Sequence, residues 1–405
     1  MEARYTLRGG LGATAKKLQA GDKATVAFIG GSVTEGAGAS DGERKSYRAL
    51  TERYLMRSWP GVRFQFIHAA IGGTDSVYGA FRFRRHVLEQ GPVDLLFVEF
   101  AVNDAGGREA AIRGMEGIVR QAKYANPRME ICFLYSPNEA GLRLFREQGE
   151  VQASIGYHEE VTAHYGLPSV SIARSVYEGI RSGELRWSDF SGDEVHPNDA
   201  GFALYGSFVE AFLDEALRPD RGASTGKEES DDRIDDPDNP DNPDDSDKLD
   251  DVEVCEVPAL PSPLDPSCYE RAGLLVPGAA ADAAGWRHER SWTFEHVCYW
   301  KLPKEALIGE TAGARFSLEF HGTAIGFTVL AGMDLGDIEY AIDGGDFELI
   351  RLFDPMCAEF YRPKTVLLAE GLTSGRHGLD VRIAVDKAEA STGFAVRILH
   401  FLVNG

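Results

Sequence analysis

The stretch from Lys227 to Glu253 constrains the architecture before any motif does. It holds fourteen acids and three bases, supplies −11 of the chain's formal net charge of −22, and reads "DPDNPDNPDDSD" through its middle. With so few apolar residues it cannot offset the entropy of ordering its backbone. A disordered, self-repelling linker is expected over residues 220–267. It separates two units, 1–219 and 268–405, as expected for a 405-residue chain that exceeds what one hydrophobic core usually organises. Clustered carboxylates also suit calcium, but the run lacks the glycine turn and spaced bidentate Glu of an EF-hand loop. The linker reading is preferred.

The acidity bears on partners. Phosphate contacts rest on Lys and Arg, so nucleic acid is not an expected ligand. No apolar run approaches the ~18 residues that would span a membrane, and the amino terminus "MEARYTLRGGLGATAKKLQAGDK" has no apolar signal core. Five scattered cysteines, Cys132, Cys255, Cys268, Cys298 and Cys357, form no metal-ligand spacing and read as reduced thiols. The expectation is a cytoplasmic, soluble protein without cofactor or metal; a homo-oligomer is left open.

Between residues 24 and 218, short apolar runs alternate with amphipathic stretches. "ATVAFIG", "VRFQFIHAAI", "DLLFVEFAV", "MEICFLYS" and "SVSIA" read as strands, several apolar at consecutive positions as in a parallel sheet covered on both faces. Helices are expected near 44–58, 77–90, 107–125, 148–165 and in "PNDAGFALYGSFVEAFLDEALR". Such alternation predicts an α/β fold with a doubly wound, mainly parallel sheet. After about residue 268 the runs become short and β-rich, and "DIEYAIDGGDFELIRLF" carries a hairpin turn signal. An antiparallel β-sandwich of jelly-roll type is predicted there.

The first strand runs into "FIGGSVTEGAG". Gly31 and Gly36 have half of a P-loop's spacing, yet Ala37 and Gly38 stand where Lys and Ser/Thr belong, so a phosphate cradle is set aside. Ser32 follows a strand at the sheet edge where α/β folds place ligands. A serine there is either a helix cap or a nucleophile. The choice depends on whether the chain supplies a base, an orienting acid and donors for an oxyanion. "HEEVTAH" suggests zinc at first, but His158 and His164 would lie roughly 240° apart around a helix and share no face. "SGDEVHPNDAGF" places Asp193 three residues before His196 on an irregular segment, where the carboxylate can fix the imidazole tautomer that accepts a serine proton.

Together "FIGGSVTEG", "AAIGGTDS", "VEFAVND" and "DEVHPNDAG" resemble, in order and approximate separation, the four blocks of the SGNH (GDSL-like) hydrolase superfamily. The resemblance covers about residues 20–218 and implies a flavodoxin-like fold. It also implies Ser32 as nucleophile, Asp193 and His196 as its partners, and an oxyanion hole from Ser32, Gly73 (or, in a shifted register, Gly72) and Asn103. The first block departs as G-G-S-V-T, and Ala101 replaces a glycine in the third; both concern subfamily and pocket shape.

With its β-rich unit the chain is also similar to two-domain carbohydrate esterases of family two, although those place the β-domain first. This implies a small-acyl ester, above all an acetyl ester, on a sugar or oligosaccharide. Trp187 is a candidate for walling the site, and Trp286, Trp292 and Trp300 for stacking on sugar, against the plainer reading that they fill cores or a domain interface. The β-unit could equally serve oligomerisation. Alternatives for the whole chain are a lipase or lysophospholipase, or a non-enzymatic carbohydrate-binding protein with a degenerate hydrolase domain.

Overall fold

A computed structural model describes residues 1–218, 259–292 and 303–405. The acidic run, Trp300, Cys255 and Cys298 lie outside the described residues, and with them the linker and calcium readings.

The first unit runs β1 (Tyr5–Thr6), α1 (Gly12–Gln19), β2 (Ala24–Gly30), α2 (Ser32–Glu35), α3 (Gly42–Lys45), α4 (Tyr47–Ser58), β3 (Phe64–Ala70), α5 (Ser76–His86) and β4 (Leu95–Glu99). It continues through α6 (Gly107–Ala125), β5 (Glu130–Leu134), α7 (Glu139–Gln148), α8 (Ala153–His164), β6 (Ser169–Val170), α9 (Ile172–Ser182), α10 (Trp187–Phe190) and α11 (Asp199–Ala216). These strands form one sheet in the order β1-β6-β5-β4-β2-β3, parallel except for β1. Every residue of β2 and β4 is buried, because helices cover both faces. The five parallel strands follow the flavodoxin-like order, which reverses between β2 and β4, and ligands of such sheets sit beyond the carboxyl ends of the strands at that reversal.

Two segments differ from the sequence expectation. "SVSIA" is strand only at Ser169–Val170: Ser171 accepts the Arg174 N–H as a cap and starts α9, whose Ile172, Val176 and Ile180 recur at helical spacing. The helix expected over 148–165 is α8, which begins only at Ala153, and Gly149, at φ 77°, ends before it a helix that was not expected, α7.

The second unit is antiparallel. Its strands are β7 (Ala272–Leu275), β8 (Ala281–Ala284), β9 (Trp286–Glu289), β10 (Ala306–Gly309), β11 (Arg315–Gly322), β12 (Ala324–Ala331), β13 (Ile338–Ile342), β14 (Glu348–Ile350), β15 (Arg362–Ala369), β16 (Gly375–Ile383) and β17 (Val396–Asn404). One sheet runs β15-β12-β17-β10-β9, with β7 on β17, and the other β14-β13-β16-β11-β8. Their inner faces share a core, in which Phe316 of β11 meets Phe401 of β17 edge to face. The expected hairpin joins β13 and β14, with Asp343 and Gly344 both at positive φ.

The β-unit rests on α5 and α6. Phe81 packs on Tyr269, Gln121 donates to the Tyr269 carbonyl, and a Cβ at Gly117 would stand 2.8 Å from that oxygen. Residues 259–267, expected to be linker, are instead fixed against α6: the N–H groups of Leu264 and Asp265 donate to the buried Glu116 carboxylate. This docking brings the start of β15 over the carboxyl ends of β2 and β4, where it shares a cleft with their loops.

Candidate active site

Ser32 opens the short helix α2 directly after β2, and Gly31 makes the turn. Gly31 must lack a side chain, because a Cβ there would lie 2.5 Å from Asn103 Oδ1. At the other end of the loop Gly38, at φ 92°, lets the backbone pass beneath His196, whose Cβ would be 2.8 Å from an added Cβ. The glycines of "GGSVTEGAG" thus serve close approach between segments distant in sequence.

Ser32 Oγ lies 2.9 Å from His196 Nε2, and His196 Nδ1 lies 2.8 Å from Asp193 Oδ2. The loop before α11 folds around Asp193, whose Oδ1 accepts the N–H groups of Val195 at 2.7 Å and His196 at 2.6 Å. Burial alone would raise this carboxyl, but those backbone bonds and the His196 ring outweigh it and hold it below the ordinary range. An ionised Asp193 takes the Nδ1–H, which leaves the Nε2 lone pair facing the serine hydroxyl.

The donors expected for an oxyanion gather at the same spot. Gly73 and Asn103 line the cleft with Ser32 and His196. Gly72 N–H is taken by Glu35 Oε2 at 2.9 Å, which favours the Gly73 register. Gly73 has φ 69°, a conformation that glycine adopts without strain. Asn103 Oδ1 is buried against Gly31, with no hydrogen-bond partner among the described residues.

The family model of GDSL-like lipases and acylhydrolases matches residues 28–204. The match spans less than half of the 405 residues and lies wholly within the α/β unit. The GDSL-like unit and its β-partner together are similar to a two-domain esterase (CEX) active on acetylated mannans, solved alone and with mannopentaose. Identity is 20% in both cases; the TM-score is 0.73 for the structure alone, covering 99% of each chain. With mannopentaose it is 0.72, covering 99% of this chain and 98% of that one. At that identity the likeness speaks for the fold, and it extends over both units. Comparison with curated protein sequences finds no match.

The cleft measures about 1350 Å³. Its far wall is one that sequence reasoning missed: Met356, Phe360, Arg362 and Lys364 of the β-unit face the Ser32 loops. Arg362 and Lys364 both bind Asp354, at 2.5 and 2.8 Å. Burial of Asp354 is more than offset by these cations, which pull its pKa down to about 2.

The tryptophan candidates are placed elsewhere. Trp187 is not among the cleft-lining residues; its indole N–H donates to the Asp193 carbonyl at 2.8 Å and so steadies the acid's loop. Trp286 is buried in the β-core, edge-on to Phe316, and Trp292 packs beside a smaller apolar cluster of the same unit. Below the loops two carboxyls are perturbed. Asp75, which caps α5, is raised to about 6 by burial and by Asp104, and Glu99, at the end of β4, to about 7 by burial.

Proposed function

We propose that Ser32, His196 and Asp193 form the catalytic triad of an esterase that removes small acyl groups, above all acetyl, from oligosaccharides through an acyl-enzyme. The observation that carries the reading is the hydrogen-bonded run from Ser32 Oγ to His196 Nε2 and from Nδ1 to Asp193, opening on a cleft large enough for several sugar units. His196 takes the Ser32 proton as Oγ attacks the ester carbonyl. The N–H groups of Ser32 and Gly73 and the Asn103 amide receive the negative charge that develops on the carbonyl oxygen. His196 returns the proton to the departing sugar oxygen; water, deprotonated by the same imidazole, then releases the acid and restores Ser32.

The carbohydrate part draws on the whole-length likeness to an esterase active on acetylated mannans and on the β-unit's share in the cleft. The deciding experiment compares p-nitrophenyl esters of increasing chain length with acetylated manno- and xylo-oligosaccharides. Acetate should be strongly preferred, acetylated oligosaccharides should be deacetylated, and Ser32→Ala should lose on the order of 10⁴-fold or more in kcat. Preference for long chains would turn the assignment to a lipase. Full turnover by Ser32→Ala would remove the nucleophile.

A further inference from the structure

Two side chains of α8 grip the loop that carries Asn103. Ser154 Oγ donates to the Ala101 carbonyl at 2.6 Å, and one turn later His158 Nε2 meets Asp104 Oδ2 at 2.7 Å. Positions four apart share a helix face, so the two bonds fall on either side of Asn103. The Asp104 carboxylate reaches further: its Oδ1 accepts the N–H of Ser76, the first residue of α5, at 2.8 Å. Asp104 therefore ties the Asn103 loop to the turn that carries Gly73.

Nothing else accounts for this histidine. His158 is wholly buried and Asp104 nearly so. His158 Nδ1 has no hydrogen-bond partner among the described residues, and the ring lies against those of Phe133 and Tyr135. An apolar ring would pack there without an orphaned nitrogen, so the buried imidazole is a cost that the bond at its other nitrogen has to justify. Asn103 needs outside support, because its own amide oxygen is bonded to none of the described residues.

We propose that His158, acting through Asp104, is a positioning residue for the oxyanion donors Asn103 and Gly73, with Ser154 holding the other end of the Asn103 loop. This rests on the reading of Ser32 as nucleophile. His158 touches no substrate; it sets where the donors stand when charge develops, and donor placement is worth a large factor in rate.

The test is a double-mutant cycle on the full chain with p-nitrophenyl acetate. His158→Phe should lower kcat on the order of 10²-fold with KM little changed. His158→Gln, whose terminal N–H reaches where Nε2 stood, should restore most of the loss. In an Asn103→Ala background His158→Phe should cost far less, because the group it positions is gone. Equal losses in both backgrounds, or a lower melting temperature with kcat unchanged, would overturn the proposal. If His158→Phe does not fold, Ser154→Ala, which deletes one hydroxyl, runs the same cycle, and additive losses there refute the clamp. Ser32→Ala assayed in parallel separates the two failures: surviving turnover removes the nucleophile assignment, whereas a dead variant with additive losses removes the clamp alone.

Discussion

The two walls of the cleft are built differently. On the α/β side Ser32, Gly73 and Asn103 stand on polar groups that are bonded from below: buried Glu99 under the Ser32 turn, partly buried Asp75 capping α5, and Asp104 with His158 behind the Asn103 loop. On the β side long side chains reach in from one docked unit: Met356 is 48% exposed, and Arg362 and Lys364, 12% and 23% exposed, share one carboxylate. Buried networks hold atoms to the tolerance that transition-state stabilisation demands. A wall of long, partly exposed side chains can adapt to the varied sugars of the proposed substrates. The contrast predicts that changes on the first wall act on kcat, and changes on the second on KM.

The largest effect short of removing the proposed nucleophile is expected at the proposed oxyanion donor. Asn103→Ala should lower kcat by roughly 10²–10³-fold, the range seen when one such donor is removed. Its melting temperature should hardly move, because the lost amide oxygen has no partner among the described residues. Steady-state kinetics with a thermal melt checks both parts. A variant whose KM rises while kcat holds would break the contrast at its strongest point.

Beneath the same wall Glu99 gives a pH signature. Burial lifts its pKa from an ordinary 4.5 to about 7, so the folded state keeps a proton that the unfolded chain has already released in that window. Stability from this group is full below pH 4.5 and falls as pH rises through 7, by roughly 3 kcal/mol in all. Glu99→Gln should flatten that decline in urea-unfolding midpoints measured between pH 4.5 and 8. Parallel profiles for the two proteins would show that the carboxyl ionises without cost.

The first wall was legible in the sequence and the second was not, for a physical reason. Ser32, Gly73, Asn103 and the Asp193–His196 pair sit at strand ends or on one short loop, where local glycine and polar spacing reflects the geometry the site needs. Met356 to Thr365 reach the cleft only because the β-unit docks on α5 and α6 through contacts such as Phe81 with Tyr269, and no local pattern encodes that placement. Trp187 misled because nearness in sequence to Asp193 is met by a hydrogen bond from the back of the loop. In "SVSIA", a short β-branched run fits strand and buried helix alike, and the Ser171 cap decided between them.

The smallest effect tests the adaptable wall. Phe360 is half-buried at the cleft and Lys364 is already paired with Asp354, so neither is poised to meet charge developing on the ester. Phe360→Ala should raise KM for an acetylated oligosaccharide by roughly 10-fold, equivalent to ~1.4 kcal/mol of lost apolar contact. Its kcat on that substrate and its kinetics on p-nitrophenyl acetate should be unchanged, because a contact made equally in ground and transition states moves KM alone. Lys364→Ala should do less, since the ammonium leaves a carboxylate that Arg362 still neutralises. If either variant loses kcat on the small ester, the β-unit reaches the reacting atoms and the division between the two walls fails.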